Sequence, residues 1–120
     1  MTPTPADGLD LAHTVVDTLD EKKGEDIVLL DLVGVCSFAD YFVLVTGSSE
    51  RMLKALADEI VERLKKAHKV HPGQPEGGAA DGWILLDYGT VIVHIFSADH
   101  RRFYRLEELW RDGRTLVRMP

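Results

Sequence analysis

A chain of 120 residues, 45% hydrophobic and 28% charged, has the size and composition of one globular domain with one core. Its net charge of −6 argues against a primary role in binding nucleic acid, which needs clustered Lys and Arg, and no run approaches the roughly 18 apolar residues that cross a membrane. The N-terminus has no basic stretch leading into an apolar one, and the single Cys36 cannot form an internal disulfide, so the cytoplasm is the expected compartment.

Residues 1–6, with Pro3 and Pro5, read as a flexible lead-in, and 7–118 as the folded domain. Leu9, Ala12, Val15, Val16 and Leu19 recur at helical spacing. Gly24 is expected to close this helix just beyond its C-terminus, with Lys22 and Lys23 at the negative end of its dipole. Ile27–Val33 is a strand-length run ended by Gly34, and Tyr41–Thr46 is a second continuous apolar run. Such runs fit strands buried on both faces beneath helices.

Ser48 or Ser49 can cap the next helix, whose apolar stripe is Leu53, Leu56, Ala57, Ile60 and Leu64. Pro72–Gly82 carries two prolines and four glycines and is expected to be a mobile loop. Trp83–Leu86 and Thr90–Phe96 read as an antiparallel pair about the turn Asp87-Tyr88-Gly89. Ser97 or Asp99 can cap a last helix, with Phe103, Leu106 and Leu109 or Trp110 on one face. Gly113 ends it, and Thr115–Val117 adds a short extended piece. The fold class is therefore α/β, a single domain with a mixed β-sheet flanked by helices.

Charge is distributed unevenly. Asp7–Asp26 holds seven acids against two lysines, a balance of −5, whereas Asp99–Arg118 holds six arginines against four acids, a balance of +2. An acidic face steers a protein toward a basic partner, although solvated surface that keeps a domain soluble produces the same pattern.

The candidate chemistries fail one by one. Thr46-Gly47-Ser48-Ser49 lies between a strand and a helix N-terminus, a geometry that favours anions, but it lacks the Lys of a phosphate-binding loop. A nucleotidyltransferase also needs two or three strand carboxylates for metal, and only Asp87 stands at a strand end. A helix cap is the simpler role for these serines. His68 and His71 straddle a helix end, while His94 and His100 lack further ligands, so no metal site and no cofactor is expected. Cys36 or Ser37 with His94 and Asp87 has no nucleophile-elbow pattern around it.

The aromatic residues carry the remaining signal. Trp83, Tyr88, Phe103, Tyr104 and Trp110 are five of the nine aromatics. Alternation places Trp83 and Leu85 on one strand face and Ile84 and Leu86 on the other, and a domain this small is expected to leave one face open to a partner. Trp, Tyr and Arg dominate binding hot spots, whereas core filling accounts for Phe103 and Trp110 equally well.

Several blocks, in order, carry a resemblance. They are Ser37-x2-Asp40-Tyr41-Phe42-Val43, Thr46-Gly47-Ser48-Ser49-x-Arg51, Trp83-x3-Asp87-Tyr88-Gly89, Val93-His94-Ile95 and Arg101-x-Phe103-Tyr104-x-Leu106-Glu107-x-Leu109-Trp110. With this spacing, held from Leu9 to Trp110, the chain resembles the ribosomal silencing factor (Iojap-related) family. Met52 stands where that family commonly has His, a change that a helix tolerates.

The resemblance implies a nucleotidyltransferase-like fold without the catalytic carboxylates, and therefore no enzyme. It also implies binding to large-subunit ribosomal protein fourteen, which blocks association with the small subunit and represses translation. Related organellar proteins act in large-subunit assembly, and homodimers occur in the family. Trp83 and Tyr88 are the expected apolar anchors, with Leu85 beside them. Glu76 and Asp87 are charge partners, Tyr104 is a further contact, and Phe103, Leu106 and Trp110 hold the last helix on the sheet. The competing reading is a residual nucleotidyl or phosphoryl transferase using Ser48, Asp87 and a metal.

Overall fold

The two continuous apolar runs become central strands of a six-stranded mixed sheet. The structure, a computed structural model, describes residues 5–73, 76–104 and 113–119, with side chains for 8–73, 76–101 and 113–119. In chain order the elements are α1 (Pro5–Glu21), β1 (Glu25–Asp31), β2 (Tyr41–Gly47), α2 (Glu50–His68), β3 (Glu76–Gly78), a 3-10 turn (Ala79–Asp81), β4 (Trp83–Asp87), β5 (Val91–Ser97), α3 (Ala98–Tyr104) and β6 (Arg114–Met119). The strands lie in the order β3-β4-β5-β2-β1-β6, with only β2 and β5 parallel.

Helix α1 starts at Pro5, so Pro5 and Ala6 belong to the helix and not to a lead-in. Proline suits a first helical turn, where its missing N–H has no partner to lose. At the other end Lys23, not Gly24, takes the left-handed conformation (φ 65°), and the Gly24 N–H donates to the Leu19 carbonyl at 2.8 Å. Gly24 is required for a different reason: a Cβ there would lie 2.6 Å from Cγ2 of Val45.

Helix α2 follows its sequence pattern. Leu53, Leu56, Ala57, Ile60 and Leu64 are all buried, and the Ser49 hydroxyl accepts the Met52 N–H at 3.1 Å as the N-cap. Together α1 and α2 cover one sheet face. Leu11, Val15, Leu19, Leu53, Leu56 and Ile60 meet Ile27, Leu29, Val43, Val45, Leu86, Val93 and Ile95 there. Burying a large side chain of this kind contributes about 1.5–3 kcal/mol before conformational entropy is subtracted.

Pro72–Gly82 is not the plain loop that its composition suggests. Glu76–Gly78 pairs with the edge strand β4, matching Glu76 to Leu85 and Gly78 to Trp83. Main-chain pairing uses N–H and C=O groups that Gly possesses like any residue, so side-chain composition conceals it. The C-terminal extension is longer than expected, running antiparallel to β1 over Arg114–Met119. Residues Leu106, Glu107, Leu109 and Trp110 lie outside the described residues.

The second sheet face is not left bare. Val28, Leu30, Leu32, Ala39, Phe42, Leu44, Ile92 and Phe96 form a buried cluster, with Cys36, Trp83 and Leu85 packed partly against it. Strands without any polar alternation put apolar side chains on both faces, and so dictate two cores. What remains accessible of this face is found around the edge strands and at the ends of the sheet.

Candidate docking face

Register decides which of the expected contact residues share a surface. Directly paired residues point to the same side of a sheet. Trp83 pairs with Phe96, Leu85 with His94, Asp87 with Ile92, and Glu76 with Leu85. Trp83, Leu85, Asp87 and Glu76 thus lie on the second face, as the alternation of β4 requires. Trp83 and Leu85 are partly buried, and Glu76 and Asp87 are exposed. An apolar pair with a carboxylate at each side is the result.

Tyr88 is not part of this set. Its ring packs against the cluster under α1 and α2, and its hydroxyl is buried with no hydrogen-bond partner among the described residues. Burial pushes the phenol up to about 12, so it stays neutral at any working pH. Asp87 has a local task as well: its Oδ1 accepts the Gly89 N–H at 2.7 Å, fixing the turn into β5. Tyr104 ends the described part of α3, and its side chain lies outside the described residues.

His94 lies at the centre of the face. Its ring stands 4.8 Å from Phe42 and 5.9 Å from Phe96 between centroids, and neither nitrogen has a hydrogen-bond partner among the described residues. Burial, helped by the positive charge of Arg101, lowers its pKa to about 4, so the imidazole is neutral. Arg101 donates from Nη1 to the Thr46 hydroxyl at 3.1 Å, which ties α3 to β2. Among the described residues neither Cys36 nor Ser37 hydrogen-bonds the His94 ring.

The transferase reading also fails on geometry. A cleft of about 380 Å³ lies at the C-terminal ends of β2 and β5, lined by Ser48, Ser49, Gly82 and Ser97 with the carboxylates Glu50, Asp81 and Asp99. Asp87 sits at the far end of β4, four residues from Trp83 and so about 14 Å along the strand. Ser48 and Asp87 cannot act on one substrate. Among the described residues no group of three His, Cys, Asp or Glu side chains is placed to hold a metal ion. His68, tested above as a ligand, instead hydrogen-bonds the Thr14 hydroxyl through Nε2 at 2.8 Å.

Sequence reasoning missed one apolar group. Val33, Val35 and Phe38, between β1 and β2, are 57%, 39% and 61% exposed. Ending the strand at Val33 and treating the rest as a link hid them, although three large apolar residues in six loop positions are a legible signal.

This arrangement defines a small α/β module in which Trp83, Leu85, Glu76 and Asp87 share one sheet face. A family model described as "Ribosomal silencing factor during starvation" matches residues 5–119. A ribosomal silencing factor from Haemophilus influenzae is 41% identical over 100 residues, covering 83% of this chain and 97% of that protein. One from Halalkalibacterium halodurans is 35% identical over 107 residues, covering 89% and 91%. A crystal structure of a protein from Chromobacterium violaceum, 33% identical, matches with a TM-score of 0.81 over 86% of this chain and 85% of that one. The chain belongs to the ribosomal silencing factor family.

Proposed function

We propose that this protein represses translation by binding the large ribosomal subunit through ribosomal protein fourteen and excluding the small subunit. The observation that carries the reading is the second sheet face, where Trp83 and Leu85 are flanked by Glu76 and Asp87. Aromatic anchors supply contact area at low entropic cost, and the carboxylates suit the Lys and Arg common on ribosomal proteins. No catalytic group, cofactor or metal enters the mechanism. Occupying a standard interface of roughly 1,600 Å² is enough to keep a second large body away. Tyr88, turned to the other side, holds the β4–β5 turn in place and contributes to binding only through it.

Co-sedimentation with isolated large subunits tests this. The wild-type protein should pellet with them, and Trp83→Ala should weaken binding by about 2 kcal/mol, or roughly 30-fold. A folded Trp83→Ala protein that binds at full strength would remove Trp83 from the interface.

A further inference from the structure

We propose that the β1–β2 loop is a second docking element at the end of the sheet beside that face, in which Val33, Val35 and Phe38 meet the cationic protein partner. This rests on the reading above. The loop is held from within: Leu32 and Ala39 are buried, and Cys36 packs on the second-face cluster. Its backbone is closed by Val35 N–H and Cys36 N–H, both donating to the Leu32 carbonyl at 2.9 and 3.0 Å, and by Val33 N–H donating to Oδ1 of Asp31 at 3.0 Å. Gly34 supplies the positive φ (82°) that this turn needs. The inward residues therefore fix the outward ones. Preorganised apolar residues of this kind lose little freedom when a partner covers them.

The loop joins the face already described. Phe38 lies 6.1 Å from Phe42 between ring centroids, and Phe42 is the cross-strand neighbour of Ile92, itself paired with Asp87. Phe38 and Leu85 thus lie at two accessible margins of one buried cluster, with Phe42 and Ile92 between them and Asp87 at the rim.

Charge identifies the occupant. All 14 Lys and Arg residues lie at 22–23, in 51–69 or in 101–118, so Gly24–Glu50 and Val70–His100 hold nine acids and no Lys or Arg. Strands β1 to β5 and the loop are drawn wholly from these two stretches, while β6 brings Arg114 and Arg118 to the edge beside β1. Asp40 and Asp87 stand at the loop end of the sheet, and Asp31, paired with Tyr41, stands there on the side of α1 and α2. Beside Val33 and Val35, a depression of about 390 Å³ is lined by both Asp31 and Arg114, which pair at 2.9 Å, so its own charges balance. A second copy of this face would bring the same carboxylates against each other, and RNA would bring phosphates. A protein surface with Lys or Arg around an apolar centre fits both features.

The test is binding of Phe38→Asp and of the double variant Val33→Ser/Val35→Ser to isolated large ribosomal subunits, beside wild type and Trp83→Ala. All four changed side chains are at least partly exposed, and the loop variants should unfold at the wild-type temperature. We expect each loop variant to bind at least 10-fold more weakly than wild type. If wild type binds and Trp83→Ala weakens it while both folded loop variants bind fully, the loop proposal is wrong and the ribosomal reading stands. If wild type does not bind large subunits, the ribosomal reading itself falls. A loop variant that changes only self-association, measured by analytical ultracentrifugation, would assign the loop to a second copy and overturn the proposal. Loss of binding in Phe38→Asp with unfolding would be decided by the serine pair.

Discussion

Lowering the pH from about 7.5 to about 5.5 should weaken the fold by roughly 1.3 kcal/mol through His94 alone. The ring is buried against Phe42 and Phe96, and its pKa falls from 6.5 to about 4. Because the folded value is depressed, the unfolded chain takes up the proton first. Stability is therefore complete above the unfolded value, declines as pH falls below it, and stops declining below the folded value. The full window is worth about 3 kcal/mol at 1.36 kcal/mol per unit. Urea unfolding of wild type and His94→Leu at several pH values isolates the contribution, since the carboxylates titrate alike in both proteins. The wild type should lose roughly 1.3 kcal/mol more than the variant between the two pH values, and about 2.5 kcal/mol more by about pH 4.5. Parallel curves for the two proteins would show that His94 is solvated or hydrogen-bonded, contrary to the packing described.

Removing the α2 cap by Ser49→Ala should cost about 1 kcal/mol, read as a fall of roughly 4 °C in Tm. Gly24→Ala should destabilise by about 1–3 kcal/mol, because its Cβ would overlap Val45; chemical denaturation measures it. Tyr88→Phe should leave large-subunit binding within about twofold of wild type, since the buried hydroxyl meets no partner; sedimentation reads this directly. Association with large subunits should slow as salt rises while dissociation changes little, which stopped-flow measurements at two ionic strengths would show.

The helices and central strands were legible in the sequence because their signals are local and redundant. The stripe Leu53 to Leu64 is buried as expected, β2 and β5 fall within one residue of the expected runs, and β1 lies two residues earlier than Ile27–Val33. The alternation of β4 likewise placed Trp83 and Leu85 together. What escaped depends on partners distant in sequence. Strand β3 exists because β4 offers an edge to Glu76–Gly78, which their composition does not announce. The side taken by Tyr88 was legible and went unused: alternation through β4 sets it with Ile84 and Leu86, opposite Trp83. The role of Gly24 is set by Val45, on a strand that periodicity cannot bring beside it. Val33, Val35 and Phe38 were hidden because exposure of a loop residue is decided by what the rest of the loop buries.

Light scattering of purified large and small subunits, mixed after the large subunits have been saturated with this protein, tests the central claim most directly. Steric exclusion predicts a dose-dependent loss of joined ribosomes that needs no nucleotide and saturates at one protein per large subunit. Joined ribosomes forming at the same rate and to the same extent, with the protein still bound to the large subunits, would contradict it.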